Sequence, residues 1–229
     1  MKARNNLKAG QEFDGKVVLV TGAGKGSGRA VASAFAAQAA TLAANDISPM
    51  NVEALVTQIQ ASGGQARAYL HDIAKKVDAQ ALINEISDDF GHIDILVNCA
   101  NVKPQAPLLD MDEWDLHRVF EVNSIGTFLM VQSVGRVMRA QGGGIIVNVV
   151  KLPLQASYSA YAASRVAVAG LAQPASTELA AHQVRLHTVT VGLPQFDNVG
   201  QAYDDLSQAV IALCGPKFAG QTGKIINIR

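Results

Sequence analysis

The chain has 229 residues, is 49% hydrophobic but only 5% aromatic, and carries a formal net charge of zero. That length fits one large α/β domain or two small ones, and its many small residues let helices pack closely on a sheet. Basic residues are not clustered, which argues against nucleic acid as a partner, and no apolar run reaches the roughly 18 residues of a membrane span.

Residues 1–14 are polar and lack the apolar stretch of a signal peptide, so they read as a short arm ahead of the domain. KVVLVTG, from Lys16, reads as a buried strand, and Ser27 to Ala40 as an Ala-rich helix. TLAAND is a second strand ending at Asp46. Ser48 and Pro49 look like an N-cap and first helical position, opening a helix to about Ser62. ARAYLHD is a third strand, followed by a helix to Phe90, and IDILVN is a fourth strand. Met111 to Ala140 reads as one long, mostly helical segment ended by three glycines. GIIVNVV is a fifth strand. Tyr158 to His182 is the next helix, with a kink expected at Pro174. VRLHTVTV is a sixth strand, Asp204 to Leu213 a helix, and KIINI a last strand. This β-α alternation with continuous apolar strands predicts one domain over 1–229, an α/β doubly wound parallel sheet of about seven strands with helices on both faces.

Cys99 and Cys214 lie far apart, as expected of reduced thiols in a cytoplasmic protein. His182 and His187 do not have a convincing metal spacing, so no metal is expected.

The stretch TGAGKGSG follows the first strand. Gly22, Gly26 and Gly28 stand at a strand-to-helix turn, where glycine permits close approach of a diphosphate to a helix N-terminus. A Gly-rich turn alone is weak evidence. Its position after strand one, with Asp46 ending strand two, makes a dinucleotide site the stronger reading. Asp46 suits both ribose hydroxyls of an adenosine and repels a 2′-phosphate, which favours NAD. Lys25 acts the other way, since a cation in this loop suits NADP; Asp46 is weighted more heavily.

With these residues in place, the chain resembles the short-chain dehydrogenase/reductase family over nearly its whole length, which implies a Rossmann-type fold. TGAGKGSG is similar to that family's TGxxxGxG, and HDI, NCAN and NSIGTF resemble other family motifs. The resemblance assigns Gly22, Gly24, Lys25, Gly26, Ser27, Gly28 and Asp46 to the cofactor. It adds Asp72 and Ile73 near the adenine, Asn98 and Ala100 after the fourth strand, and Gly192 near the nicotinamide. Tyr161 and Arg165 of YAASR match the catalytic tyrosine and lysine of YxxxK, which also contact cofactor. Asn123 matches the asparagine that holds a proton-relay water.

The departures also carry information. Val150 and Lys151 stand where the serines of an NxSS motif would be, and the segment from there to Tyr161 is about three residues short. Ser157 and Ser159 are expected to cap the following helix and not to replace the missing hydroxyl. Arg165 keeps the lysine's charge but is a poor proton relay. Asn101 replaces the glycine of NNAG, and Val191 the proline of PG. The lid between Gly192 and the next helix is short, LPQFDNVGQAY being nearly all of it.

Two readings follow. One is an NAD(H)-dependent oxidoreductase moving hydride between nicotinamide and a small carbonyl or secondary alcohol; in a working variant of it arginine does the lysine's electrostatic task and another donor, with Lys151 as a candidate, takes the serine's place. The other is a catalytically weak or inactive dinucleotide-binding relative that acts as a sensor or partner subunit. A homodimer or homotetramer is expected, through the helices at Met111 to Ala140 and Tyr158 to His182. Both carry apolar and small residues beyond one sheet-facing stripe: Val131, Val134, Ala163, Val166 and Ala167.

Overall fold

The computed structural model describes residues 11–152, 156–192 and 199–228. Strands β1 (Val17–Thr21), β2 (Thr41–Asn45), β3 (Gln65–Tyr69), β4 (Ile95–Asn98), β5 (Gly144–Leu152), β6 (Val184–Gly192) and β7 (Ile225–Ile228) form one sheet in the order β3-β2-β1-β4-β5-β6-β7. Every pairing is parallel. Helices α1 (Gly26–Ala36), α2 (Pro49–Ala61), α3 (Lys76–Phe90), α4 (Glu113–Phe120), α5 (Thr127–Gln141), α6 (Ser159–Ala180) and α7 (Val199–Cys214) connect them.

Alternation along the strands divides the core in two. Val18 and Val20 of β1 join Phe35 of α1, Leu55 of α2 and Leu206 of α7 on one face. Val17 and Leu19 join Leu82 of α3, Met130 of α5 and Ala172 of α6 on the other. Both faces are therefore apolar, and the strands read as unbroken hydrophobic runs. The connection reverses direction between β1 and β4, and the crevice beyond their carboxyl ends is where ligands of open α/β sheets bind.

Several boundaries differ from the sequence expectation. Helix α1 stops at Ala36, not Ala40, because the chain turns through Ala39 (φ 65°) to bring Thr41 N–H onto Lys16 O at 2.9 Å. Strand β3 ends at Tyr69, where its pairing with Asn45 ends, and leaves His71 and Asp72 free to face the crevice. The segment Met111 to Ala140 is α4 and α5 joined by a π-helical turn, Glu121–Gly126, which holds Asn123. Asp112 caps it, its Oδ1 accepting from Trp114 N–H at 2.8 Å.

Helix α6 runs unbroken through Pro174. The carbonyl deprived of a partner there is that of Gly170, an exposed residue that water can serve. Neither Ser157 nor Ser159 caps this helix. Tyr158 holds the N-cap position without a side-chain bond, and Ser157 sits at φ 67°. Helix α7 begins at Val199, five residues ahead of expectation. The added turn carries Tyr203, whose side chain packs between Lys151 and the loop at Gly26. The segments 153–155 and 193–198, which hold part of the shortened loop before Tyr161 and most of the short lid, lie outside the described residues, as do residues 1–10 of the expected arm.

Candidate active site

A cavity of about 920 Å³ opens at the carboxyl ends of β1, β4 and β5. Of the cofactor candidates, Gly22, Lys25, Gly26, Ser27, Asp46, Asp72, Ile73 and Ala100 line it. A smaller cavity of about 510 Å³, next to Glu12, Lys16 and Gly215, lies away from all of them.

The loop after β1 is shaped by contacts that only glycine tolerates. Gly22 has φ 65°, and a Cβ there would stand 2.6 Å from Ala100 Cα. A Cβ on Gly28 would stand 2.0 Å from Gly22 O, so the first turn of α1 lies directly on the loop. Helix α1 starts at Gly26, and its N-cap residue Lys25 brings no side-chain acceptor to the first-turn N–H groups. Those donors, with the positive end of the helix dipole, suit a phosphate. Thr21 Oγ1 accepts from Cys99 and Ala100 N–H at 3.2 and 3.3 Å, fastening β1 to the end of β4.

Asp46 is held at the rim by two main-chain donors, Gly24 N–H on Oδ2 at 2.9 Å and Ser48 N–H on Oδ1 at 3.0 Å. These bonds fix the carboxylate beside the loop, where ribose hydroxyls would reach it. Asp72 accepts from Ala74 N–H at 3.0 Å and pairs with Arg118 of α4 at 3.1 Å. Lys25 is exposed.

The groups beyond β4 are arranged differently. Asn98 does not line the cavity: its Nδ2 donates to Asn148 Oδ1 on β5 at 2.9 Å, deep in the sheet. Tyr161 is 1% exposed and Arg165 2%. The Tyr161 hydroxyl donates to Asn101 Oδ1 at 3.4 Å, and Asn101 faces the cavity. Asn101 has a negative φ, so its replacement of glycine is not a left-handed turn; its carboxamide fills the space between Tyr161 and the cavity.

Arg165 sits one helical turn from Tyr161 on the same face of α6. Its guanidinium donates to the carbonyls of Val149 and, at 3.4 Å, Asn123, while its Nε–H has no acceptor among the described residues. Burial pushes the Tyr161 hydroxyl above the usual phenol value, outweighing the downward pull of Arg165. The Asn123 side chain is engaged by protein groups. Its Oδ1 accepts from Val102 N–H at 2.8 Å, and its Nδ2 donates to Val102 O at 2.9 Å and Ser164 Oγ at 3.0 Å. Gly192 ends β6, paired with Leu152, and is exposed.

Sequence reasoning did not single out Lys103, Arg118 or Tyr203, all of which line the cavity. Tyr203 of α7 leans over the loop, its hydroxyl 3.3 Å from where a Gly26 Cβ would be, and Lys151 Nζ lies 5.6 Å from its ring centroid. No spacing rule reaches these three, because the segment after β4, α4 and α7 meet at the crevice only in the folded chain. Among the described residues no His/Cys/Asp/Glu group has the arrangement of a metal site, and no helix is long and apolar enough to cross a membrane.

Comparison with known proteins agrees with this geometry. The family model for short chain dehydrogenase matches residues 16–207. A D-threitol dehydrogenase of Mycolicibacterium smegmatis is 39% identical over 183 residues, 78% of this chain and 70% of that protein. A 7alpha-hydroxysteroid dehydrogenase of Escherichia coli is 28% identical over 240 residues, 94% of this chain and 93% of that one. Among solved structures, a 7α-hydroxysteroid dehydrogenase complexed with NADH and 7-oxo glycochenodeoxycholic acid superposes with a TM-score of 0.87 at 27% identity, covering 96% of this chain and 94% of that one. The chain belongs to the short-chain dehydrogenases, nicotinamide-dependent oxidoreductases that move hydride between the cofactor and an alcohol or carbonyl group of a small molecule.

Proposed function

We propose that the chain is a working oxidoreductase that takes NAD(H) in preference to NADP(H), with Tyr161 as its proton donor and acceptor and Arg165 as a fixed charge beside it. One observation carries this reading. A single cavity joins the glycine loop and Asp46 to Asn101, whose Oδ1 accepts from the Tyr161 hydroxyl. The phenol is thus already donating a hydrogen bond toward the cavity, and a substrate oxygen taking the place of Asn101 Oδ1 would accept its proton.

The nicotinamide, when bound, supplies or accepts the hydride. The chain's own residues do the rest. The first turn of α1 and the loop hold the diphosphate, and Asp46 accepts from the adenosine ribose hydroxyls and repels a 2′-phosphate. Tyr161, with its pKa raised by burial, stays protonated near neutral pH and serves best as the acid in carbonyl reduction. Arg165, bonded to two main-chain carbonyls, keeps positive charge beside the phenolate that forms, without passing on a proton. Asn123 clamps the Val102 segment over the site.

A second copy of the chain is proposed to cover the outer face of α5 and α6. Val131 and Val134 are buried within the chain and do not serve this role. Phe128 and Val166, 47% and 58% exposed, do, with Ile125, Ala163 and Ala167 beside them. Light scattering at micromolar protein is expected to give a dimer or tetramer, and a monomer mass rejects this part.

Calorimetry with NADH and NADPH, then a panel of alcohols and ketones, tests the function. Tighter NADH binding with turnover of at least one carbonyl supports it. Cofactor binding with no turnover of any carbonyl favours a binding-only role.

A further inference from the structure

We propose, resting on the reading of this cavity as a nicotinamide-dependent carbonyl site, that its substrate carries an oxyanion, a carboxylate or phosphate, held by Lys103 and Lys151. The cavity is polarised along its length. Asp46, Asp72 and Asp115 line the β2–β3 end, with Arg118 paired to Asp72. Lys103 and Lys151 line the other end, next to Asn101. Neither lysine pairs with a carboxylate among the described residues. Each lies over a tyrosine ring instead, Lys103 Nζ at 4.8 Å from the Tyr158 centroid and Lys151 Nζ at 5.6 Å from that of Tyr203.

The surroundings of Lys151 deepen the deficit of negative charge. It is half-buried on β5, and burial lowers its pKa below that of an ordinary lysine. Arg165 and Lys103 act in the same direction. Cys99 is the neighbour able to oppose them, but burial pushes its thiol up to about 12, so it carries no charge at neutral pH. An anion at this end would therefore be bound by two cations that repel each other without it.

The diphosphate of the cofactor is a poor candidate for that anion. Its loop follows β1 with β4 between it and β5, and although Lys151 lies over Tyr203, which leans over Gly26, Lys103 follows Asn101 beyond β4. The loop also has its own cation in Lys25 and its own helix N-terminus. Asn101 and the Tyr161 hydroxyl stand at the lysine end, so the group bound there belongs to the molecule being reduced.

The test uses matched pairs with NADH: pyruvate and acetoacetate, each beside its methyl ester, and dihydroxyacetone phosphate beside dihydroxyacetone. The charged member of at least one pair is expected to react with kcat/KM about ten- to a hundredfold above its neutral partner, the range for a hydrogen bond to a charged group. Which pair does so distinguishes carboxylate from phosphate. Lys103→Met and Lys151→Met should each drive that ratio toward one, mainly through KM, and Lys103→Arg should restore it. NADH affinity, measured by calorimetry on the same variants, shows that they fold. Neutral partners reacting as well as charged ones overturns the proposal. So does a loss of NADH affinity as large as the loss of substrate preference, because the lysines would then serve the cofactor. If no carbonyl turns over, binding of the same pairs to the NADH-saturated chain decides. Preference for the anion keeps this inference while the hydride-transfer reading fails, and equal or absent binding overturns the inference.

Discussion

In the β1–β3 half of the molecule Lys25 and Asp46 turn toward the cavity, whereas from β4 onward Asn98, Tyr161 and Arg165 are buried and bonded to other protein groups. On the proposed function, the first half recognises its ligand with backbone. Its requirements are glycines where any side chain would collide, N–H groups at a helix start, and one acid fixed by two main-chain donors. The second half works with side chains, and a change of one side chain alters its neighbours. Lys151 brings a cation where the related motif has a serine, Arg165 reaches main-chain carbonyls directly, and Asn101 covers Tyr161.

The strongest way to break this contrast is Tyr161→Phe. If the buried phenol is the proton donor, turnover should fall by about 10³-fold, within the range for loss of a general acid. NADH affinity should stay within about twofold, because the phosphate loop and Asp46 are untouched. Turnover that survives the change would mean that the inward-facing residues are structural and the chemistry lies elsewhere in the cavity.

A smaller but still large effect is expected from Gly28→Ala in the first half. The new Cβ cannot sit 2.0 Å from Gly22 O, so α1 and the loop must separate. A displacement of about 1 Å at a positioning element costs on the order of 10²-fold, and NADH affinity should fall by about that much. Calorimetry measures it, with a melting curve to show how much of the chain remains folded. An alanine tolerated with full affinity would remove the claim that backbone contacts define this half.

Asp46→Ala should act at about the tenfold level. At the rim, where water can take over as acceptor, the net loss should lie near the low end of the about 1.5–3 kcal/mol for a hydrogen bond to a charged group, and the repulsion of a 2′-phosphate is lifted as well. NADH should weaken, NADPH should gain with Lys25 nearby, and their affinities should converge or reverse. Equal affinities in the unmodified chain would refute the preference at the outset.

The same contrast explains what the sequence disclosed. Gly22, Gly28 and Asp46 were legible because local geometry dictates them: a strand, a tight turn, a helix start and an acid ending the next strand. The seven strands were legible because both faces are apolar. Tyr161 and Arg165 were legible as a pair by helical spacing, but their burial was not, because it depends on Val102, Asn123 and Val149 from three other elements. The unbroken course of α6 through Pro174 and the early start of α7 were hidden for the same reason: exposure of Gly170 and packing of Tyr203 are tertiary facts. Lys103, Arg118 and Tyr203 meet at the cavity from the segment after β4, α4 and α7, and no local pattern connects them.

The smallest effect is expected from Arg165→Lys, and it sharpens the comparison most. Arginine here reaches the carbonyls of Val149 and Asn123 directly. A lysine is shorter and would need water to span the same gap, so it restores a proton relay at the cost of a fixed anchor. With that water beside it the ammonium can stay charged despite the burial that already lowers the arginine's pKa, so the electrostatic contribution to the phenolate should change little. Turnover in the reducing direction should therefore move by only a few-fold. The pH dependence separates the two roles further. Burial raises the Tyr161 pKa above its ordinary value near 10, so the phenol is protonated through neutral pH. Carbonyl reduction, which uses the acid, should be flat with pH until that value is approached. Alcohol oxidation, which needs the phenolate, should keep rising with pH up to and beyond about 10. If Arg165 acts only as fixed charge, the lysine variant should keep both profiles. A lysine variant that oxidises alcohol at least tenfold faster near neutral pH would show that the proton relay limits the natural chain, and that the arginine site is an impaired form of the lysine one.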